Sequence, residues 1–482
     1  MPVVIAVGKA LLDSESVTDY YIKKCKETLM SENIINKNSD VKSAIKNLVD
    51  LSQNLSKDIS AVRPADNQAH FDGLKSRAGA VRGRPLFYDY VGTGVGHGPY
   101  VKLEDGSVKQ DLINGIGIHI FGHNHPLIIE HSLKGALSDV VMQGNLEPNN
   151  EYIEVCESLL DAAKGSRFKH VWLATCGSMS NENALKICRQ KTNGARKILA
   201  MKSAFAGRST MMAEVTDNPS LKEGLPEYNE VLRVPFFDKN NPNSINESTE
   251  IMKKFIEDNK GDICAFMFEP MQGEGGYNVA PREFFLPLFE MCKQHKIPIW
   301  ADEVQTFCRT SEFFAFQTLD FADYVDICTV AKALQNGAAL YTEEMNPRPG
   351  LIAGTFSGSS VSLTVGKAIL EELKTGSYLG PKGKIMGIHN EFVGMLNELN
   401  ETTCKGLLND AGGLGLMVAV TPLDGTKEKQ IPLLKTLFKN GIIAFGCGKG
   451  PFRLRFLLPA ILNSQHIAEA KKIIEKSILE HT

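Results

Sequence analysis

From about residue 86 onward, short apolar runs rich in β-formers alternate with longer amphipathic stretches, and this alternation most restricts what the chain can become. Residues 171–174, 264–268, 297–301 and 324–330 read as strands, and 181–191 and 284–295 as helices between them. Strands that are apolar throughout, rather than on alternate positions, must be covered on both faces. Strand–helix–strand order then implies a mostly parallel sheet with helices on either side. Two further helices are expected at 363–374 and 466–479, with a β-rich region between them. Residues 19–30 and 41–55 carry helical spacing without any catalytic pattern, and Arg63-Pro64-Ala65-Asp66 has the composition of a linker.

A chain of 482 residues exceeds one simple core. The expected division is an N-terminal helical extension over 1–85, a large α/β domain over 130–358, and a smaller α+β domain assembled from 86–129 and 359–482. Hydrophobic residues make up 43% and charged residues 23%, which are globular values, and the net charge of -3 gives no reason to expect a nucleic-acid or anionic-membrane partner. Ten cysteines without a Cys-x-x-Cys pair fit reduced thiols. With neither a basic leader nor an apolar run of bilayer length, a cytoplasmic protein is expected.

In an open parallel sheet, ligands bind beyond the carboxyl ends of the strands. Those ends carry Thr175-Cys176-Gly177-Ser178, then Glu269-Pro270-Met271-Gln272-Gly273-Glu274-Gly275-Gly276, then Asp302-Glu303-Val304-Gln305, then Ala331-Lys332. Small residues, acids and a lysine can therefore meet in one cleft. Gly177 and Ser178 open a helix, where free N–H groups and the helix dipole favour phosphate, although serine there also serves as an ordinary cap. Asp302 follows an apolar strand, and a buried carboxylate needs a cationic or strongly donating partner. A lysine buried at Lys332 would be held neutral, as Schiff-base chemistry requires. Two other features are set aside. Gly92-Thr93-Gly94-Val95-Gly96-His97-Gly98 lacks a strand–loop–helix setting and reads as a flexible loop. His119, His123 and His125 match no metal-ligand spacing, so no metal is expected.

Taken together, the segments from about residue 90 onward resemble the class III, fold-type-I aminotransferases that use pyridoxal 5′-phosphate, such as the acetylornithine, ornithine and 4-aminobutyrate enzymes. The resemblance rests on Gly122-His123-Asn124-His125-Pro126 and, more specifically, on Glu269–Gly276, Asp302-Glu303-Val304-Gln305-Thr306 and Ala331-Lys332, in that order along the chain. It implies that Lys332 holds the cofactor as a Schiff base and then moves the proton, while Asp302 keeps the pyridine nitrogen protonated. It places Val304 and Phe205 on the two ring faces, Gln305 at the ring hydroxyl, and Gly177 and Ser178 at the phosphate. Thr355 would reach the phosphate of a neighbouring subunit, which implies a homodimer with shared sites.

For substrates, the resemblance assigns the distal carboxylate of glutamate or 2-oxoglutarate to Arg208 and the α-carboxylate to Arg455; a guanidinium binds carboxylate as a bidentate fork. Glu274 looks like the gate that pairs with Arg455 when the amino donor lacks an α-carboxylate, and Glu269, heading the same motif, is grouped with the substrate-facing residues. The implied reaction moves an amino group between an ω-amino or N-acylated diamino acid and 2-oxoglutarate by a ping-pong route. The motifs leave open an aminomutase, racemase or decarboxylase of the same family, and a non-catalytic binding protein on the scaffold. The chain departs from the family pattern at Met179, at Ala206, at Phe307-Cys308-Arg309-Thr310-Ser311, at Ser359-Ser360 and in a short Lys332-to-Thr355 stretch; by the resemblance, Ile116 stands at the position of a tyrosine in ornithine aminotransferase, which argues mildly against ornithine.

Overall fold

A computed structural model of the chain describes residues 33–139 and 146–482. Its centre is a seven-stranded sheet in the order His170–Ala174, Gly337–Tyr341, Ile327–Val330, Ile299–Asp302, Ile263–Phe268, Lys197–Met201 and Val231–Val234. Gly337–Tyr341 runs antiparallel to both of its neighbours, and the remaining pairings are parallel. The sheet is therefore mixed and mostly parallel, as the alternation predicts.

The apolar strands divide their side chains between two cores with the period of two that a pleated strand imposes. Leu199, Met201, Phe266 and Phe268 enter one core; Ile198, Ala200, Ala265 and Met267 enter the other. The helix Arg282–His295 covers the first face, where the Phe285 and Phe289 rings lie 5.3 and 5.1 Å from that of Phe268. The helix Gly177–Lys191 covers the second with Ala184, Leu185, Ile187 and Cys188. This two-sided cover leaves the strand ends as the edge open to ligands.

Two smaller sheets flank this layer. Gly92–His97, Tyr100–Leu103 and Val108–Asp111 form an antiparallel meander, and Ile442–Ile443 adds to it in parallel, joining the chain near residue 110 to its C-terminal part. Leu408–Leu414, Met417–Pro422, Arg453–Leu457 and Phe445–Cys447 make an antiparallel sheet. The helices Ser360–Thr375 and Ser464–Leu479 bracket it, as the helical spacing predicts, while the stretch between them, expected to be β-rich, also holds the helices Lys384–Glu401 and Lys427–Asn440.

Several expectations need correction. Gly92–His97 is a strand with an irregularity between Gly92 and Gly96, not a flexible loop: Gly96 fits because a Cβ there would lie 2.5 Å from the Tyr100 carbonyl oxygen. Arg63 is no linker residue, since it exchanges N–H···O bonds of 3.1 Å in both directions with Val108 on the sheet edge. The strand expected over 324–330 begins only at Ile327, because a short 3₁₀ turn, Ala322–Tyr324, precedes it. The helical pattern at 19–30 lies outside the described residues. The one at 41–55 falls in the helix Ser39–Ser56, capped by Asn38. That helix is docked: Asn124 Nδ2 donates to Ser56 Oγ at 2.6 Å, and Gln53 Nε2 donates to the Asn124 carbonyl at 2.6 Å. No helix among the described residues is long and apolar enough to cross a membrane.

Candidate active site

The ends of five strands meet around a cavity of about 360 Å³, which Gly177, Ser178, Phe205, Asp302, Val304, Gln305, Glu269 and Lys332 all line. The sequence separates these residues by more than 150 positions, and the parallel strand order brings them together.

Asp302 is the last residue of its strand and is 5% exposed. Its Oδ1 accepts the Val304 N–H at 2.9 Å, and its Oδ2 accepts Asn181 Nδ2 at 2.7 Å. Burial pushes the carboxyl up to about 6; the two hydrogen bonds and the nearby Lys332 pull the other way. This is an under-neutralised carboxylate facing a cavity, the setting that a protonated ring nitrogen would complete.

Lys332 begins the reversal between Ile327–Val330 and the antiparallel Gly337–Tyr341 and has a left-handed φ of 53°. A lysine held in that region is strained, and such strain concentrates at functional positions. Burial lowers its amine to about 7, helped by Arg309 and Arg455 and opposed by Glu274 and Asp302. Much of it is therefore the neutral nucleophile near neutral pH.

Around the N-terminus of the helix Gly177–Lys191, space is kept by glycine. A Cβ on Gly177 would stand 2.7 Å from Val304 Cγ1, and one on Gly207 (φ +130°) would run into Ser178. Ser178 Oγ accepts the Arg208 N–H at 3.3 Å, so the turn at Gly177 and the segment after Phe205 are tied together. Glu269 spends both oxygens on main chain, accepting Phe205 N–H at 3.0 Å and Gly273 N–H at 2.9 Å. Burial and the neighbouring Asp302 raise it to about 8. Its geometry is that of a strut for Phe205 and the Gly273 turn more than of a substrate ligand.

A second cavity of about 670 Å³ adjoins the first and shares Phe205, Glu274 and Lys332 with it. Arg208, Arg455 and Ile116 line it, with Phe445 from the C-terminal part. Arg455 is buried on the strand Arg453–Leu457, and its Nη2 lies 2.6 Å from Glu274 Oε1. Burial disfavours its charge, yet Glu274 and its surroundings raise its pKa overall. Its Nε and Nη1 are buried without a partner. Arg455 lines this cavity with two donors left unpaired, so it can take a carboxylate if Glu274 gives way. The Arg208 side chain is exposed and enters no ion pair among the described residues.

Thr355 is exposed and does not line either cavity of its own chain. Sequence reasoning missed two residues. Asn181 sits one helical turn beyond Gly177, on the same face, and its Nδ2 also donates to the Ala206 carbonyl at 2.7 Å; the i, i+4 spacing from Gly177 was the available signal. Arg309 is wholly buried, whereas the sequence showed it only as part of a departure from the family pattern. The histidine cluster is used in the fold: His123 Nε2 lies 3.0 Å from Asp111 Oδ2 and its ring packs 4.5 Å from that of His119.

The residues present fit a phosphorylated pyridine aldehyde. Gln305 Oε1 and Asn181 Oδ1 are buried at the cavity without partners, Gly177 and Gly207 let Val304 and Ser178 close in on its wall beside the free N-terminus of a helix, and a buried carboxylate and a lysine of lowered pKa line the same volume. Comparison with known proteins agrees. The family model Aminotransferase class-III matches residues 82–478. An acetylornithine aminotransferase of Aquifex aeolicus is 30% identical over 398 residues, covering 79% of this chain and 95% of that protein. The 5-aminovalerate aminotransferase DavT of Pseudomonas putida is 28% identical, covering 78% and 90%. Among solved structures, the lysine aminotransferase from M. tuberculosis in its internal aldimine form superposes with a TM-score of 0.76 at 21% identity, over 85% of this chain and all of that one, a likeness of fold. With the matched region spanning both cavities and every strand that supplies them, the chain belongs to the class III aminotransferases, which depend on pyridoxal phosphate.

Proposed function

We propose that the protein moves an amino group between an ω-amino or N-acylated diamino acid and 2-oxoglutarate, releasing glutamate, with both half-reactions run in turn at one site. The observation that carries this reading is the Arg455–Glu274 pair at the junction of the two cavities, beside Lys332. With Glu274 engaged, Arg455 is neutralised and the chamber suits a donor whose reacting carbon bears no carboxylate. With Glu274 displaced, Arg455 takes the α-carboxylate of glutamate or 2-oxoglutarate, and Arg208 is placed for the distal one.

Bound pyridoxal phosphate supplies the carbonyl that receives the amino group and the ring that accepts the electron pair freed when the donor's C–H bond breaks. In this reading Lys332 holds the cofactor covalently through Nζ, then takes and returns the proton at the reacting carbon, for which its lowered pKa suits it. Asp302, oriented by Asn181 and Val304, holds the proton on the ring nitrogen. Val304 and Phe205 confine the ring, Gln305 receives its hydroxyl, and Gly177 and Ser178 bind the phosphate.

The exposure of Thr355 in its own chain supports a homodimer in which it serves the neighbouring site. We also propose the division into 1–85, 86–129 with 359–482, and 130–358; the pairing of Ile442–Ile443 with Val108–Asp111 supports the joining of the two outer pieces. A cytoplasmic location fits the reduced thiols. The test is the visible spectrum of the protein loaded with pyridoxal phosphate, before and after glutamate. A yellow band lost on adding glutamate is expected. A band indifferent to glutamate would overturn the acceptor assignment in favour of a mutase, racemase or decarboxylase, and no band would overturn the role of Lys332.

A further inference from the structure

We propose that Arg309 is a positioning residue for this reaction: it ties the Gln305 turn to the loop that carries Ile116 and Ile118, and sets an unneutralised positive charge near Lys332. The inference rests on reading Lys332 as the reacting amine.

Arg309 is fully buried. Its Nη1 donates to the carbonyls of Gln305 and Phe307, at 2.9 and 3.2 Å, and its Nη2 donates to the carbonyl of Gly117. No ion pair among the described residues includes it, its Nε has no partner, and burial lowers it to about 10. A buried cation without a counter-charge is costly, and a merely structural bridge between carbonyls would be served by neutral donors.

What it holds bears on both cavities. Asn114, Gly115, Ile116 and Gly117 are four successive left-handed residues, with φ of 57, 60, 61 and 80°. Asp111 fixes the front of this run by accepting the N–H groups of Ile113, Asn114 and Gly115. Arg309 fixes its rear, so closely that a Cβ on Gly117 would stand 2.9 Å from Nη2. Ile116 thereby lines the substrate chamber and Ile118 the cofactor cavity. Arg309 bonds the carbonyl of Gln305, which lines the same cavity as Lys332; its charge and that of Arg455 oppose a charge on the amine, while Glu274 and Asp302 favour one. Arg455 is paired with Glu274, and Asp302 is held by Asn181 and Val304. Arg309 bonds main-chain carbonyls and, among the described residues, no carboxylate, so no counter-ion cancels its charge and it favours the uncharged amine.

The test uses trace acetylation of the full-length apoprotein by acetic anhydride across pH, with the Lys332 peptide quantified by mass spectrometry, together with steady-state kinetics of the loaded enzyme. The wild-type midpoint is expected near 7. Arg309→Gln and Arg309→Met should raise it by about one pH unit. Arg309→Lys should keep the midpoint but raise the donor KM several-fold more than it lowers kcat, because the grip on the Ile116 loop is lost. A folded neutral variant with the wild-type midpoint overturns the proposal; should neither neutral variant fold, a wild-type donor KM in Arg309→Lys overturns it. Because the labelling is read without cofactor or turnover, a wrong assignment of acceptor would leave it untouched.

Discussion

Arg455 and Glu274 are joined at 2.6 Å, yet their side chains are 4% and 38% exposed. The arginine is fixed in the interior, while the glutamate stands where it can turn toward solvent. The movable partner of the pair is therefore the acid.

Replacing Glu274 with Gln should leave Arg455 permanently open to carboxylates. The glutamate half-reaction should proceed with an equal or lower KM. Half-reactions with ω-amines should slow about tenfold, because a buried uncompensated guanidinium then faces a donor without a carboxylate. Stopped-flow rates of the two halves, measured separately, check this; equal effects on both would remove Glu274 from the selection between substrates.

Asn181→Ala should move the acid limb of the kcat/KM profile to higher pH. Asn181 donates to Asp302 and thereby holds its carboxylate below where burial alone would set it. Losing that bond raises the pKa of Asp302 from about 6, so the ionised form is lost at a higher pH. A shift of up to about one unit is expected.

Lys332→Met should raise the thermal midpoint of the apoprotein while abolishing turnover. The folded pKa of Lys332, about 7, lies below its ordinary 10.5, so between these values the unfolded chain binds the extra proton. The wild-type protein therefore gains stability from this group as pH rises through that window. The advantage of Met should accordingly be largest at or below pH 7 and shrink toward 10.5, which calorimetry at several pH values would show.

Asn124→Gly keeps the left-handed backbone (φ 53°) but removes the side chain that joins Ser56 and Ser52 to the body of the protein. Limited proteolysis should then cut faster within the helix Ser39–Ser56, with a loss of about 1–3 kcal/mol in its local stability.

Much of this architecture was legible because burial on both faces writes a distinct signature: the run at 264–268 admits little but a central strand. Lys332 and Asp302 were legible because their neighbours in sequence formed specific motifs. The strand Gly92–His97 was not, since its glycines serve close backbone approach rather than flexibility. Asn181 was hidden because its meaning depends on a carboxylate 121 positions away. Arg309 was hidden because an arginine in a polar-looking segment gives no hint of complete burial. The role proposed for Thr355, at a neighbouring site, is one that a single exposed side chain cannot display.

Lys332 lies in the short span between Val330 and Gly337, where the chain doubles back into an antiparallel strand. Val330 pairs with Ala338 across that reversal, so the register of the hairpin and the place of the amine are one quantity. Insertions and deletions should thus be purged from this span during descent, while the connection from residue 346 to 359, which anchors no strand register, is free to diverge in length among relatives.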